Sequence, residues 1–111
     1  YTNSFAGTTA TTLYDLDATT LFTQVPPNNG TLVAVGATGV TAVGDAGLDI
    51  AGGANGLVLA AIRTAAGAGP SSLYRINLAT GAATAIGVAD GTGRIGAPSS
   101  AQVRSIAIDA R

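Results

Sequence analysis

The segment Thr12-Leu13-Tyr14-Asp15-Leu16-Asp17-Ala18 returns sixty positions later as Ser72-Leu73-Tyr74-Arg75-Ile76-Asn77-Leu78. A second phrase, Gly47-Leu48-Asp49-Ile50, returns at nearly the same offset as Ser105-Ile106-Ala107-Ile108. Two phrases with one shared period mark a duplicated supersecondary unit. Tyr14 and Leu16 alternate with Leu13, Asp15 and Asp17, and Tyr74, Ile76 and Leu78 share one face, which is the period of a strand. The repeated unit is therefore built of β-strands. The chain holds one full copy and parts of two others, so its first and last strands are expected to have open edges.

Composition sets the limits of the chemistry. The chain has 111 residues, which fits one β-rich domain, 1–111, with an internal repeat over 11–51 and 71–109. Apolar residues make up 47%, much of it Ala, and only 10% of residues are charged. That fraction is too apolar for a disordered polymer and yields a core of many backbone contacts and few large side chains. Lys, Glu, His, Cys, Met and Trp are all absent. Without Cys there is no disulfide and no thiolate nucleophile. Without His the commonest general base is missing, and without Lys there is no Schiff base or phosphate-loop lysine. A net charge of −1 with five scattered Arg offers no nucleic-acid footprint. No apolar run reaches the length of a membrane span. These absences lead to the expectation of a protein that is not an enzyme and uses no cofactor.

Helix signals are poor, because Gly and β-branched residues interrupt nearly every window. Strands are expected near 11–17, 20–25, 31–35, 39–43, 47–51, 56–63, 71–78, 82–88 and 102–109. Turns are expected at Pro26-Pro27-Asn28-Asn29-Gly30, at Gly52-Gly53-Ala54-Asn55-Gly56 and at Asn77-Leu78-Ala79-Thr80-Gly81, with Gly81 in a left-handed conformation. The corresponding turn after Asp17 has Thr20 in place of Gly and is expected to be looser. Segments 64–70 and 89–102 read as loops. Leu57-Val58-Leu59-Ala60-Ala61-Ile62 is apolar on both faces, as in a strand covered on both sides. Blade-on-blade packing in a propeller accounts for that more naturally than a layered sandwich.

Each candidate site has a plainer reading beside it. Gly91-Thr92-Gly93-Arg94-Ile95-Gly96 spells a dinucleotide fingerprint, but no helix can start at Gly96-Ala97-Pro98, so a loop is preferred. Asp15 and Asp17 share a strand face and could act as paired carboxylates or bind calcium. Asp17 aligns with Asn77 ahead of a hairpin, so a turn-capping role is preferred. Asp45 and Asp49 are read in the same way. Arg63, Arg75, Arg94 and Arg104 are anion-binding candidates, against the commoner fate of solvated or paired surface charges. Tyr14 and Tyr74 occupy equivalent positions and are read as matched packing residues rather than sugar platforms. Asn29-Gly30-Thr31 is a glycosylation sequon that a turn already explains, and Thr8 to Thr12 forms a Thr-rich edge.

Taking 47–51, 56–63, 71–78 and 82–88 as four successive strands gives the order of a propeller blade, with Leu73 to Gly81 resembling its third-to-fourth-strand hairpin. Four stretches, Tyr1 to Gly7, Thr12 to Asp17, Pro26 to Leu32 and Ser72 to Gly81, resemble a bacterial family known only as a domain of unknown function (number four-three-nine-four). Pro26-Pro27-Asn28-Asn29-Gly30-Thr31-Leu32 is the most specific of them. The resemblance implies secreted or surface proteins with propeller-like repeats, usually longer than this chain, and brings no activity and no catalytic residues. Low charge, abundant Thr, Ser, Ala and Gly, and a start at Tyr1 agree with a processed extracellular or bacterial cell-surface protein.

The expected fold is all-β and antiparallel, of propeller type, about two blades plus flanking strands, with a β-sandwich as the alternative. A propeller needs four to eight four-stranded blades, so one copy cannot close a ring. The expected function is that of an extracellular structural protein that assembles with other copies of itself through open strand edges, as in a filament. The edge residues are Thr11, Leu13, Tyr14 and Leu16 at one end and Val103, Ile106 and Ile108 at the other. The alternative is a binding module presenting loops 26–30, 64–70 and 89–100 to a glycan or a protein.

Overall fold

A computed structural model describes residues 1–52, 55–65, 69–87 and 93–109. Among the described residues seven strands form two antiparallel sheets. Sheet A has three strands in the order β1 (Leu13–Leu16), β2 (Thr20–Gln24) and β3 (Leu32–Ala37). Sheet B has four, in the order β4 (Gly47–Ile50), β5 (Val58–Ile62), β6 (Ser72–Ile76) and β7 (Ala83–Ala85). No helix among the described residues is long and apolar enough to cross a membrane.

The turns follow from local chemistry. Between β2 and β3, Pro27–Asn29 makes a single 3-10 turn that ends at Gly30 with φ 66°. The preceding Val25-Pro26 peptide is cis. Gly81 takes φ 83° after Asn77, a left-handed conformation that glycine adopts without a Cβ penalty. The turn centred on Gly52-Gly53-Ala54-Asn55-Gly56 falls partly outside the described residues, as do loop 64–70 and the start of loop 89–102.

Alternation sorts each sheet into two faces. In sheet B, Leu48, Ile50, Val58, Ala60, Ile62, Tyr74 and Ile76 share one face through the pairings Leu48↔Ala60 and Ala60↔Tyr74. Gly47, Asp49, Leu59, Ala61, Leu73 and Arg75 take the other. In sheet A, Tyr14, Leu16 and Leu21 share a face through Leu16↔Leu21. Leu21 is fully buried in one cluster with Ile50, Val58, Ala60, Ile62, Tyr74 and Ile76, and Tyr14, Leu16 and Val35 pack against it. The two sheets therefore close on a single core.

The fold is all-β and antiparallel, as expected, and its arrangement is consistent with a sandwich. A propeller is not shown. Tyr14 and Tyr74 are equivalent in the repeat, yet both turn toward the shared core. A rotation from blade to blade would set the tyrosine face of one sheet against the opposite face of the next.

Two expected strands do not form. Residues 39–43 cross between the sheets, with the Ala42 N–H donating to Ala18 O and the Val43 N–H to Arg63 O (2.6 and 2.7 Å). Gly39 and Gly44, at φ 81° and 79°, bend the crossing. Residues 102–109 run over the outer face of β4 rather than beside it, so their partners are side chains. The Ile108 N–H donates to Asp49 Oδ2 (2.6 Å) and the Val103 N–H to Ser71 Oγ (3.0 Å). A Cβ on Gly47 would come within 2.9 Å of Ser105 Cα, so the missing side chain is what lets this segment lie flat. With sheet A on one side and this segment over its neighbour β4 on the other, β5 is buried on both faces along most of its length.

Candidate functional site

β1 and β6 are the two copies of the repeated phrase, and each leads into a turn capped by its own side chain. The turn after Asp17 closes on Thr20 and is the tighter of the two, not the looser one expected, while that after Asn77 closes on Ala82. Asp17 Oδ1 accepts from the Thr19 and Thr20 N–H groups, each at 2.7 Å. Asn77 Oδ1 accepts from the Ala79 N–H at 2.9 Å. The capping role read for this pair is what the structure shows. Among the described residues no group of three or more His, Cys, Asp or Glu gathers to hold a metal.

The twins differ at their other edge. Among the described residues β6 pairs with both β5 and β7, whereas β1 pairs with β2 alone. The Asp17 N–H donates to Thr20 O, which fixes the phase of the ladder: Leu13 and Asp15 point their backbone groups at β2, and Thr12, Tyr14 and Leu16 point theirs away. Thr12 is covered by the N-terminal segment, since the Thr2 N–H donates to Thr12 O (3.0 Å) and the Thr12 N–H to Thr2 Oγ1 (2.9 Å). Beyond Thr12 no strand among the described residues lies beside Tyr14 and Leu16. Their positions in the repeat match Tyr74 and Ile76, whose outward groups bond to β5.

The other end of sheet A is also an edge. Among the described residues β3 pairs only with β2, and Val25, Leu32 and Val33 at the hairpin end are 55%, 48% and 54% exposed. A bulge between Leu21 and Phe22 shifts the register so that Val35 has no opposite residue and turns to the core. This apolar edge lay outside the expected pair of edges, although the run Leu32-Val33-Ala34-Val35 was its signal.

The remaining edge candidates divide. Thr11 is exposed, Leu13 is half-buried on the outer face of sheet A, and Tyr14 and Leu16 pack against the core. Val103, Ile106 and Ile108 are half-buried against sheet B and contribute no edge strand.

The charged groups are mostly tied to the fold. Arg104 and Asp45 form an exposed ion pair at 3.3 Å. Arg63 Nε donates to Val43 O (3.2 Å) and Arg94 Nε to Gly96 O (3.2 Å). Gly93 and Gly96 sit at φ 64° and 85° and no helix follows them, while Gly91 and Thr92 lie outside the described residues. Arg75 and Asp15 lie on the outer faces of the two sheets. Arg75, on the outer face of sheet B, is exposed, and its Nη2 donates to Gly56 O (3.0 Å). It lines an open cleft of about 440 Å³ with Asn55, Asn77 and Thr84. Asp15, its counterpart in the repeat, lies on the outer face of sheet A opposite Phe22, and its shielded Oδ2 has no hydrogen-bond partner among the described residues. Such an oxygen costs on the order of 1–3 kcal/mol.

One family model covers nearly the whole of the chain. The family model described as Domain of unknown function (DUF4394) matches residues 1–107. The chain belongs to the DUF4394 family. The match takes in both copies of the repeated phrase and the Pro26–Gly30 turn. No curated protein and no solved structure matches the chain. The DUF4394 assignment brings no site residues, so the geometry has to carry the functional argument.

Proposed function

We propose that this DUF4394 domain is a non-enzymatic, extracellular or cell-surface structural protein that associates with other copies of itself through sheet A. The observation that carries the reading is the difference between the twins. β6 is a central strand, and β1 has the same sequence pattern but, among the described residues, one bare edge at Tyr14 and Leu16. An extended strand from a second copy would supply partners for those groups at about 0.5–1.5 kcal/mol net per hydrogen bond. The exposed apolar hairpin of Val25, Leu32 and Val33 at the opposite edge adds area that gains from burial. Propeller-type closure belongs to this reading only for several copies together, because a ring needs at least about four blades. Low charge and abundant Thr, Ser, Ala and Gly support a location outside the cell.

The test is concentration-dependent hydrogen exchange paired with sedimentation. The Tyr14 and Leu16 amides should gain protection as the chain associates, while exposed loop amides should not. A chain that stays monomeric at millimolar concentration, with those two amides exchanging freely, overturns the reading.

A further inference from the structure

We infer that a second copy docks head to tail, setting the outer face of its sheet B, at Arg75, on the outer face of sheet A, at Asp15. This rests on the self-association reading and adds a second contact, face to face and polar in direction, beside the strand edge at Tyr14 and Leu16. Three observations meet here. On the outer face of sheet A, Leu13 and Phe22 flank the half-buried Asp15, while Asp17 on the same face is engaged by the Thr19 and Thr20 N–H groups. The outer face of sheet B, beside the part over β4 that residues 102–109 cover, carries the half-buried Leu73 and the exposed Arg75, one of whose nitrogens is spent on Gly56 O. A guanidinium has five N–H donors, so others remain to meet a carboxylate. Finally, Asp15 and Arg75 hold the same place in the repeat, on strands β1 and β6. The duplicated unit carries opposite charges at matched positions on its two outward faces.

Polarity follows from charge. A two-fold pairing of sheet A faces would set Asp15 against Asp15, and a pairing of sheet B faces would set Arg75 against Arg75. Like charges brought together on a desolvating face are unfavourable. Only the unlike faces complement each other, and a contact between unlike faces does not close on itself. It continues as an open chain of copies unless the rotation happens to return.

The experiment uses charge reversal in the full chain, read by sedimentation velocity, with circular dichroism to follow the fold. D15R alone would bring two guanidinium groups together across the contact, and R75D alone would bring two carboxylates together. Each should associate at least about tenfold more weakly than the parent. An equimolar mixture restores both opposite-charge contacts, so it should assemble in alternation to within about threefold of the parent, as should the D15R/R75D double variant. Rescue in the mixture also shows that each single variant is folded. The inference is overturned if either single variant associates like the parent, or if the mixture and the double variant stay dissociated. It is equally overturned if glucuronate saturates the Arg75 cleft of a chain that never assembles. A parent that associates while the variants behave like it removes this contact and leaves the self-association reading intact. A parent that is monomeric throughout removes both.

Discussion

Gly36 and Gly81 meet backbone to backbone where β3 passes the turn between β6 and β7. A Cβ on Gly36 would fall within the Thr80 carbonyl, and one on Gly81 within the carbonyl of Gly36. Nearby, Thr38 links both sheets, since its N–H donates to Thr19 O and its carbonyl accepts from the Ala83 N–H, each at 2.8 Å. The two sheets are thus joined by main chain as well as by core side chains.

Replacing either glycine by alanine should therefore separate the sheets at this junction. Gly81→Ala should cost more than Gly36→Ala, because it adds a left-handed backbone strain of about 1–2 kcal/mol to the same clash. We expect a loss of roughly 2–4 kcal/mol for the worse of the two, measured by urea unfolding. Equal stability of both variants and the parent would show that the junction yields freely.

Leu21 is the one large side chain of sheet A that is fully buried in the core. Leu21→Ala should lose about 2–5 kcal/mol through lost burial and a residual cavity. In a chain with so few large core residues that loss should leave little cooperative unfolding. A sharp transition at the parent's denaturant midpoint would mean that sheet A contributes little to the core.

Asp17 accepts two backbone N–H groups and Asn77 one. Asp17→Ala should cost on the order of 1–2 kcal/mol, and Asn77→Ala about half as much. Thermal unfolding of both variants checks the order, and a reversed order would refute the capping account.

Gly47 is where residues 102–109 press on β4. Gly47→Val should lift that segment, and the loss should appear as faster exchange of the Ile108 and Val103 amides with the rest of the sheets still protected. By contrast Arg104→Ala, which removes only an exposed ion pair, should change stability by less than about 0.5 kcal/mol. If protection at Ile108 survives in the Gly47 variant, the close approach is not what positions the segment.

Much of this was legible from local pattern. Alternation around Tyr14 and Tyr74 located β1 and β6, and Asp17 and Asn77 announced the turns they cap. The doubly apolar run at Leu57 to Ile62 announced a strand covered on both sides, though its covers are sheet A and a C-terminal segment. The strands expected at 39–43 and 102–109 were misread for one reason. Period-two alternation shows that a segment is half-buried, and says nothing of whether a backbone partner lies beside it. Val103, Ile106 and Ile108 are half-buried against a sheet face, and Ala42 and Val43 bond to two different elements in passing.

By itself the sequence determined an all-β chain, most of its strands, its two capped hairpins and the matching of Asp15 with Arg75, because these depend on residues near one another or on a direct comparison of copies. Which faces meet was decided by tertiary structure. Close approach at Gly36, Gly47 and Gly81 requires the absence of a Cβ at points where distant segments cross, and the letter Gly does not say what it lies against. Only the closure of sheet A on sheet B sets which described strands lie beside Tyr14 and Leu16 and sends the two opposite charges outward.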